Sequence, residues 1–224
     1  MEKEPQIERP KQYWETIREL EIKMFPEFQK EDIYGPENNS NFYFAPSWHF
    51  RNGLVTEADV NNFLTDNTKK LLSIGSGAAF LEKLLERLGI GRDNITLSDV
   101  DSRDLPQDFR SKTFDMWGEW SSLDNEQYDL IIFPESILIN IRFEKDEQKQ
   151  EGIYHLISQA LQHLSPTGTI RMSIQLRDDW DIGAIENRFR QEGRKIKITL
   201  SNHLMEVKNE TSPNSVYEVQ EKVR

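Results

Sequence analysis

Hydrophobic residues in the central part of the chain form short continuous runs, and stretches with helical spacing separate these runs. The clearest runs are LLSI at 71–74, ITLSD at 95–99 and YDLIIF at 128–133. Continuous apolar runs of this length are typical of strands buried on both faces of a parallel sheet. Between the first two runs, five apolar residues mark one helical face that ends at Gly89: Phe80, Leu81, Leu84, Leu85 and Leu88. The pattern predicts strand, turn, helix and strand.

The second half of the chain continues this alternation. A weaker strand is predicted near Thr113–Met116, a helix at about 148–163, a strand at Thr169–Gln175 after the turn in LSPTGT, and a helix at about 181–191. Two alternating segments then follow with no helix between them, RKIKITLS and SVYEVQEKV. We expect these two to pair as an antiparallel hairpin. The prediction is a mostly parallel α/β sheet that closes with a hairpin.

The N-terminal third has a different pattern, and we predict an extension at 1–68 and the α/β domain at 69–224. Apolar residues from Tyr13 to Phe25 keep helical spacing. Residues 31–53 contain proline, glycine and asparagine among many aromatic residues, which predicts a loop that is not freely solvated. A short helix should begin after Thr56 as N-cap, with Asp59 three residues on, and end near Asp66.

Composition and charge argue against several classes of binding partner and of chemistry. The chain has 224 residues, no cysteine and a formal net charge of -11. This charge repels nucleic acids overall, and the lack of cysteine excludes disulfides and thiolate nucleophiles. No apolar run has the length of a membrane span, and the N-terminus lacks the apolar core of a signal peptide, so we expect a cytoplasmic protein that does not bind membranes. No metal-binding spacing is visible, and His155 and His163 are expected to be structural or solvent-facing.

The turn after the first strand reads Gly75, Ser76, Gly77, Ala78. In a doubly wound sheet this turn faces the ligand crevice at the carboxyl ends of the central strands. Glycine permits a positive φ and a close backbone approach, and the following helix points free N–H groups at a ligand. The alternative is that the glycines serve the geometry of the turn alone.

An acidic residue follows at the end of the next predicted strand. Asp99 comes 24 positions after Gly75, close to the spacing of about 20 at which a carboxylate meets a ribose hydroxyl. The alternative is that Asp99 or Asp101 caps a helix in the polar segment LSDVDSRD.

From Lys69 to about Val223 the chain resembles the class I, Rossmann-like S-adenosylmethionine-dependent methyltransferases. The resemblance implies a three-layer α/β sandwich whose mostly parallel seven-stranded sheet ends in an antiparallel hairpin. It also implies S-adenosylmethionine as cofactor and S-adenosylhomocysteine as product. The cofactor residues that it implies are those of the turn and of the ends of the second and third strands: Gly75, Ser76, Gly77, Ala78, Asp99, Val100, Asp115 and Met116. Among these, Asp99 would bind the ribose, Asp115 the adenine amine, and Met116 would be an apolar neighbour of the ring.

The chain departs from the family pattern at two positions. Ser73 stands where the family commonly has an acid that holds the cofactor's amino group, and Ala79 stands where a third glycine is usual. Alanine is tolerable at position 79 if the backbone there is helical. These departures leave open a binding protein with a methyltransferase fold and no catalysis. A dinucleotide site is not indicated, because Phe80 occupies the third glycine position of the GxGxxG fingerprint.

The residues after the fourth strand bear on the acceptor, which we predict to be a small molecule with an oxygen or nitrogen nucleophile. After the fourth strand the chain reads Phe133-Pro134-Glu135-Ser136, without the motif that marks methylation of nucleic acid bases. Glu135 would bind an amine or act as a base, or else cap the next helix.

Two further features of the sequence bear on the substrate and the reaction. Tyr43, Trp48 and His49 belong to the aromatic loop, which would form either a lid over the site or a cover packed on the sheet. The turn is also similar to that of nicotianamine-synthase-like enzymes, which transfer an aminocarboxypropyl group from the same cofactor. The identity of the acceptor and the oligomeric state are not predicted.

Overall fold

The computed structural model describes residues 12–29, 45–101, 103, 105–134, 146–174, 181–201 and 204–210. These residues form a seven-stranded sheet whose strands are β1 Leu71–Ile74, β2 Ile95–Asp99, β3 Arg110–Thr113, β4 Tyr128–Phe133, β5 Leu164–Ser173, β6 Ile196–Ser201 and β7 Leu204–Asn209. Their order across the sheet is β3-β2-β1-β4-β5-β7-β6. Strands β1 to β5 run parallel to one another, and β7 runs antiparallel between β5 and β6. The predicted mostly parallel sheet with a terminal hairpin is confirmed.

The centre of the sheet contains β1 and β4, which are buried almost throughout. From β1 the chain proceeds outward to β2 and β3, and then returns to the other side of β1 to form β4. The strand order therefore reverses between β1 and β4. In open α/β sheets a ligand crevice forms at the carboxyl ends of the strands beside such a reversal.

Helices cover both faces of the sheet. The described α-helices are α1 Tyr13–Met24, α2 Pro46–Arg51, α3 Glu57–Thr65, α4 Phe80–Arg87, α5 Asp146–Gln162 and α6 Ile182–Gln191. Leu71 of β1 packs in a core with residues of α1 to α4, whereas the next residue, Leu72, packs in a second core with residues of α5 and α6. Successive side chains of a strand point to opposite faces, which explains this division. The arrangement is a three-layer sandwich.

The N-terminal segments pack against the sheet through α1 to α3. Ile17 of α1 and Phe50 of α2 are buried in the same core as Leu71. The prediction of a loop at 31–53 is wrong over Pro46–Arg51, which form α2 with proline at its first turn. Proline is compatible with that position because its missing N–H would be unbonded there in any case. Residues 31–44 lie outside the described residues, and the boundary between 68 and 69 stays a prediction.

The predicted start of α3 is confirmed in detail. The Asp59 N–H donates to Thr56 Oγ1 at 3.2 Å, and the Thr56 N–H donates to Asp59 Oδ2 at 2.8 Å. This reciprocal capping box bonds two N–H groups that the helix itself leaves unbonded.

Three predicted strand positions need correction. The third strand is Arg110–Thr113, ahead of the predicted segment, because it is a mostly exposed edge strand without an apolar pattern. The fifth strand begins at Leu164, so LSPTGT is part of an irregular strand with a shift in register rather than a turn. The partner of β6 is Leu204–Asn209, which follows β6 after two residues, and not SVYEVQEKV, which lies outside the described residues.

Candidate functional site

A cavity of about 450 Å³ lies at the carboxyl ends of β1, β2 and β4, beside the reversal in strand order. The turn after β1, the ends of β2 and β4, the loop after β3, and helices α2 and α4 contribute its walls. The lining residues are His49, Ile74, Gly75, Ser76, Gly77, Ala78, Phe80, Leu81, Glu82, Ser98, Asp99, Val100, Phe114, Asp115, Met116, Trp117 and Pro134.

The glycine turn forms one wall of this cavity. Gly75 and Gly77 have φ angles of 73° and 49°, in the left-handed region that favours glycine. The N–H groups of Gly75 and Ser76 both donate to the carbonyl oxygen of Ser98, at 2.8 and 3.0 Å, which ties the turn to β2. A Cβ added to Gly77 would meet no protein atom within 4 Å. The space in front of Gly77 is therefore open to a ligand.

Asp99 is joined directly to this turn. The Gly77 N–H donates to Asp99 Oδ2 at 3.0 Å, and the Val100 N–H donates to Oδ1 at 2.7 Å. A carboxylate can accept about four hydrogen bonds, so capacity remains for ligand hydroxyl groups. Asp101 does not line the cavity and pairs with Arg103, whose side-chain hydrogen bond lowers the pKa of Asp101. The tertiary structure thus brings together the turn and the acid that the sequence suggested as partners.

The loop after β3 contributes a largely apolar wall. Phe114 is held by its N–H, which donates to the Asp99 carbonyl oxygen at 3.2 Å. Asp115 is exposed and accepts a hydrogen bond from the Trp117 N–H at 3.0 Å, and Met116 is half-buried. Val100, 70% exposed, adds an apolar side chain at the same wall. A flat aromatic ring with a polar edge fits such a wall.

The residues suggested for the acceptor divide between three locations. His49 is 2% exposed and lines the cavity. Trp48 is also buried, but it does not line the cavity. Its ring packs edge to face against the His49 ring, with 5.4 Å between the ring centroids. Tyr43 and Glu135 lie outside the described residues. Pro134, immediately before Glu135, lines the cavity.

The two histidines that were expected to be structural or solvent-facing contact backbone carbonyl groups. A ring nitrogen of His155 lies 3.2 Å from the Gly118 carbonyl oxygen, and one of His163 lies 3.2 Å from the Glu126 carbonyl oxygen. Neither histidine lines the cavity. Within the described part of the chain, no group of three or more histidine, aspartate or glutamate residues is placed to hold a metal ion.

Sequence reasoning missed Glu82 and Trp117 as cavity residues. Glu82 follows Phe80 and Leu81 in α4 and is 1% exposed, although it is not one of the apolar residues that mark the buried face of this helix in the sequence. Helical periodicity carries no signal for this placement, because it depends on the helices that contact α4, which are α1 and α2. Trp117 follows Asp115 and Met116 in a loop whose position depends on β3.

The charged residues described in the cavity lining are all acidic. Glu82, Asp99 and Asp115 are acidic, and the described lining residues include no lysine or arginine. Phosphate sites usually provide cationic side chains in addition to backbone N–H groups. The lining therefore favours a cationic ligand over a dinucleotide or a nucleoside polyphosphate.

The two departures from the family pattern have distinct structural outcomes. Ser73 is fully buried in β1 and provides no charge. Ala79 has φ 55° and ψ 40°, so its backbone is left-handed and the helical conformation that would make alanine tolerable is absent. This conformation costs a non-glycine residue about 1 kcal/mol.

Solved structures with a similar fold include methyltransferases. The chain is similar to a TehB-like SAM-dependent methyltransferase from Corynebacterium glutamicum, at 13% identity and a TM-score of 0.46, over 68% of this chain and 86% of that one. It is also similar to magnesium protoporphyrin IX methyltransferase from Synechocystis PCC 6803 with bound SAM, at 15% identity and a TM-score of 0.42, over 89% and 98% of the two chains. A third similar structure is the glycopeptide N-methyltransferase MtfA complexed with sinefungin, at 11% identity and a TM-score of 0.43, over 66% and 90%.

No protein-family model matches the chain, and no curated protein sequence matches it. Across the described residues, none of the helices combines the length and apolar character that crossing a membrane requires.

Proposed function

We propose that this protein is an S-adenosylmethionine-dependent methyltransferase that acts on an oxygen or nitrogen nucleophile of a small molecule. The observation that carries the proposal is the cavity itself: Asp99 is hydrogen-bonded to an open glycine turn, and the described lining residues include acidic side chains but no lysine or arginine. The cofactor carries a positive sulfonium, a positive ammonium group and one carboxylate, which leaves it with a net positive charge, and it has no phosphate. The negative charge of the lining therefore suits this cofactor and disfavours a dinucleotide, whose phosphates are also negative.

Each part of the cofactor has a matching group in the cavity. Asp99 would accept hydrogen bonds from the ribose hydroxyls, and Asp115 would accept one from the adenine amine. Val100 and Met116 would contact the adenine ring, and the turn from Gly75 to Ala78 would face the methionine part.

The bound cofactor supplies an electrophilic methyl group, so the residues of the protein mainly need to orient the acceptor and remove water. Glu135 follows Pro134, a lining residue of the cavity, in the sequence, and we include Glu135 in the proposal as the group that holds an acceptor amine or removes its proton. The acidic lining and the net charge of -11 oppose a nucleic acid acceptor.

The aromatic segment before β1 contributes to this site through α2. Trp48 is buried away from the cavity, which supports its role as part of a cover packed on the sheet. His49 lines the cavity from the same helix, so we propose it as a contact of the acceptor, together with Tyr43 in the preceding segment.

The proposal is tested by calorimetric titration with S-adenosylmethionine and S-adenosylhomocysteine. We expect micromolar binding to the wild-type protein and a loss of at least about ten-fold in Asp99→Asn, because a hydrogen bond to a charged group is removed. Asp101→Asn, in the same segment but outside the cavity, is the matched control and should bind like wild type. Absence of binding to the wild-type protein at millimolar ligand would contradict the proposal.

The mass of the product then separates methyl transfer from the alternative chemistry. In an acceptor screen, methyl transfer leaves S-adenosylhomocysteine, whereas aminocarboxypropyl transfer leaves methylthioadenosine. Tight cofactor binding without either product would favour a binding protein that lacks catalysis, an outcome to which the strained backbone at Ala79 is relevant.

A further inference from the structure

Glu82 is a buried acidic residue of the cavity to which neither the family pattern nor the assignment above gives a role. It is the third residue of α4, the helix that begins directly after the glycine turn, and it is 1% exposed. It lines the same cavity as Asp99 and Asp115. His49, from α2, is the other deeply buried ionisable residue of this lining.

Glu82 is buried, so water screens its carboxylate less than that of the exposed Asp115. Attraction between opposite charges grows as the surrounding water is removed, because water screens the interaction. Carboxylate–ammonium hydrogen bonds are among the stronger hydrogen bonds that proteins make.

The three acids of the cavity come from different parts of the sheet. Asp115 follows β3 and Asp99 ends β2, whereas Glu82 belongs to the helix that follows β1. A ligand whose adenine and ribose lie at Asp115 and Asp99 extends its remaining part toward the glycine turn of β1. That part of the cofactor carries the α-ammonium group.

The end of β1 has no charge to offer this group. Ser73 is neutral and fully buried, although an acid at this position is what the resemblance would imply. Glu82 lies in the first turn of the adjoining helix and lines the same cavity. We propose that the carboxylate of Glu82 binds the α-ammonium group of the cofactor's methionine part, in place of the acid missing at Ser73. This inference rests on the proposed function.

The test compares ligands that differ in the part that Glu82 would contact. Calorimetry is carried out with S-adenosylhomocysteine, with its analogue that lacks the amino group, and with 5′-methylthioadenosine, which lacks the whole amino acid end. For wild type, we expect the deaminated analogue to bind at least about ten-fold more weakly than S-adenosylhomocysteine. For Glu82→Gln, S-adenosylhomocysteine should lose a similar factor while methylthioadenosine binds as it does to wild type.

Glu86→Gln is the matched control, because Glu86 is on the same helix, pairs with Arg92 and does not line the cavity. Its affinity for all three ligands should equal that of wild type. If Glu82→Gln does not fold, as judged by its thermal unfolding without ligand, the comparison of S-adenosylhomocysteine with the deaminated analogue on wild type decides the question.

Three results would overturn the inference. The first is equal affinity of wild type for S-adenosylhomocysteine and its deaminated analogue. The second is an equal loss for S-adenosylhomocysteine and methylthioadenosine in Glu82→Gln, which would mean that Glu82 only shapes the cavity. In both cases the proposed function stands, because wild type binds the cofactor. If wild type binds none of the three ligands, the proposed function itself fails, and the role of Glu82 fails with it.

Discussion

The two faces of the sheet bury different kinds of side chain. The face covered by α5 and α6 is built from aliphatic and aromatic residues such as Ile157, Phe133 and Phe189, all completely buried. On the face covered by α1 to α4, apolar residues are accompanied by buried charged ones. Among the described residues these are Glu21, Glu82 and Arg171.

The buried charges fall into groups with separate surroundings. Glu21 of α1 accepts hydrogen bonds at 2.8 Å from the N–H and the hydroxyl of Ser47, which join α1 to α2. Arg171 of β5 contacts Asp59 of α3 and donates to Glu206 of β7 at 2.8 Å. Glu82 lines the cavity. Since buried charges are costly unless they are hydrogen-bonded, the contacts of Glu21 and Arg171 indicate how the N-terminal helices are held, whereas the position of Glu82 at the cavity is what its proposed contact with a ligand rests on.

The largest expected effect comes from removing the arginine that joins the N-terminal helices to the sheet. Arg171→Ala leaves Asp59 and Glu206 without the cation between them, and removes the hydrogen bond to the Leu54 carbonyl oxygen. We expect the free energy of unfolding to fall by about 3 kcal/mol, measured by urea denaturation.

Arg188→Ala is the matched control for this change. Arg188 also pairs with a carboxylate, Glu151, but both side chains are substantially exposed. Such a pair contributes about 0–1 kcal/mol. Equal losses for Arg171→Ala and Arg188→Ala would show that the buried charges have no special role on this face.

A smaller effect on stability, together with a loss of ligand affinity, is expected from a substitution at the cavity. Gly77→Ala places a methyl group in open space where the cofactor would lie. Because φ is 49°, the substitution should cost about 1 kcal/mol of stability, and we expect cofactor affinity to fall by at least about ten-fold through steric overlap with the ligand. Calorimetry and thermal unfolding measure the two quantities.

Gly193→Ala controls for backbone strain. Gly193 has φ 80°, and a Cβ there also meets nothing within 4 Å, but it lies after α6, away from the cavity. It should lose similar stability and keep wild-type affinity. A parallel loss of affinity in both variants would exclude Gly77 as part of the ligand site.

The smallest effect concerns a titratable group on the apolar face. Burial raises the pKa of Tyr128 to about 12, and its hydroxyl donates to Glu126 Oε2 at 3.1 Å. The ordinary value for tyrosine is about 10, so between these values the unfolded chain has lost a proton that the folded protein keeps. Stability therefore falls as the pH rises from about 10 to about 12.

Tyr128→Phe tests this pH dependence. We expect the loss of unfolding free energy between pH values of about 10 and 12 to be smaller by about 1 kcal/mol in this variant, allowing for solvent screening. It should not vanish, since burial also raises the pKa of Tyr13 and Tyr154. The measurement is urea denaturation at several pH values from 9 upward. An unchanged slope would contradict the assigned pKa.

Several features could be predicted because they depend on neighbouring residues. The strand LLSI, the positive φ angles of Gly75 and Gly77, and the capping box of Thr56 with Asp59 are local consequences of residue type. The approach of Asp99 to the glycine turn required one further step, the parallel pairing of β1 with β2.

Other features could not be predicted from the local pattern. Residues 204–209 and 215–223 both alternate as strands do, and only pairing with β6 and β5 identifies Leu204–Asn209 as β7. Similarly, the sequence predicts a loop at His49 and gives no indication that Glu82 is buried. Their positions depend on how α2 packs against α4.

The alternation of strands and helices, the glycine turn and the acid that follows the second strand are all evident in the amino-acid sequence. These follow from side-chain periodicity and backbone preference, which act over a few residues. The tertiary structure decided which polar residues are enclosed together: Arg171 with Asp59 and Glu206, and Glu82 and His49 with Asp99 around one cavity. Such groupings depend on contacts between residues far apart in the chain, and local patterns carry no information about them.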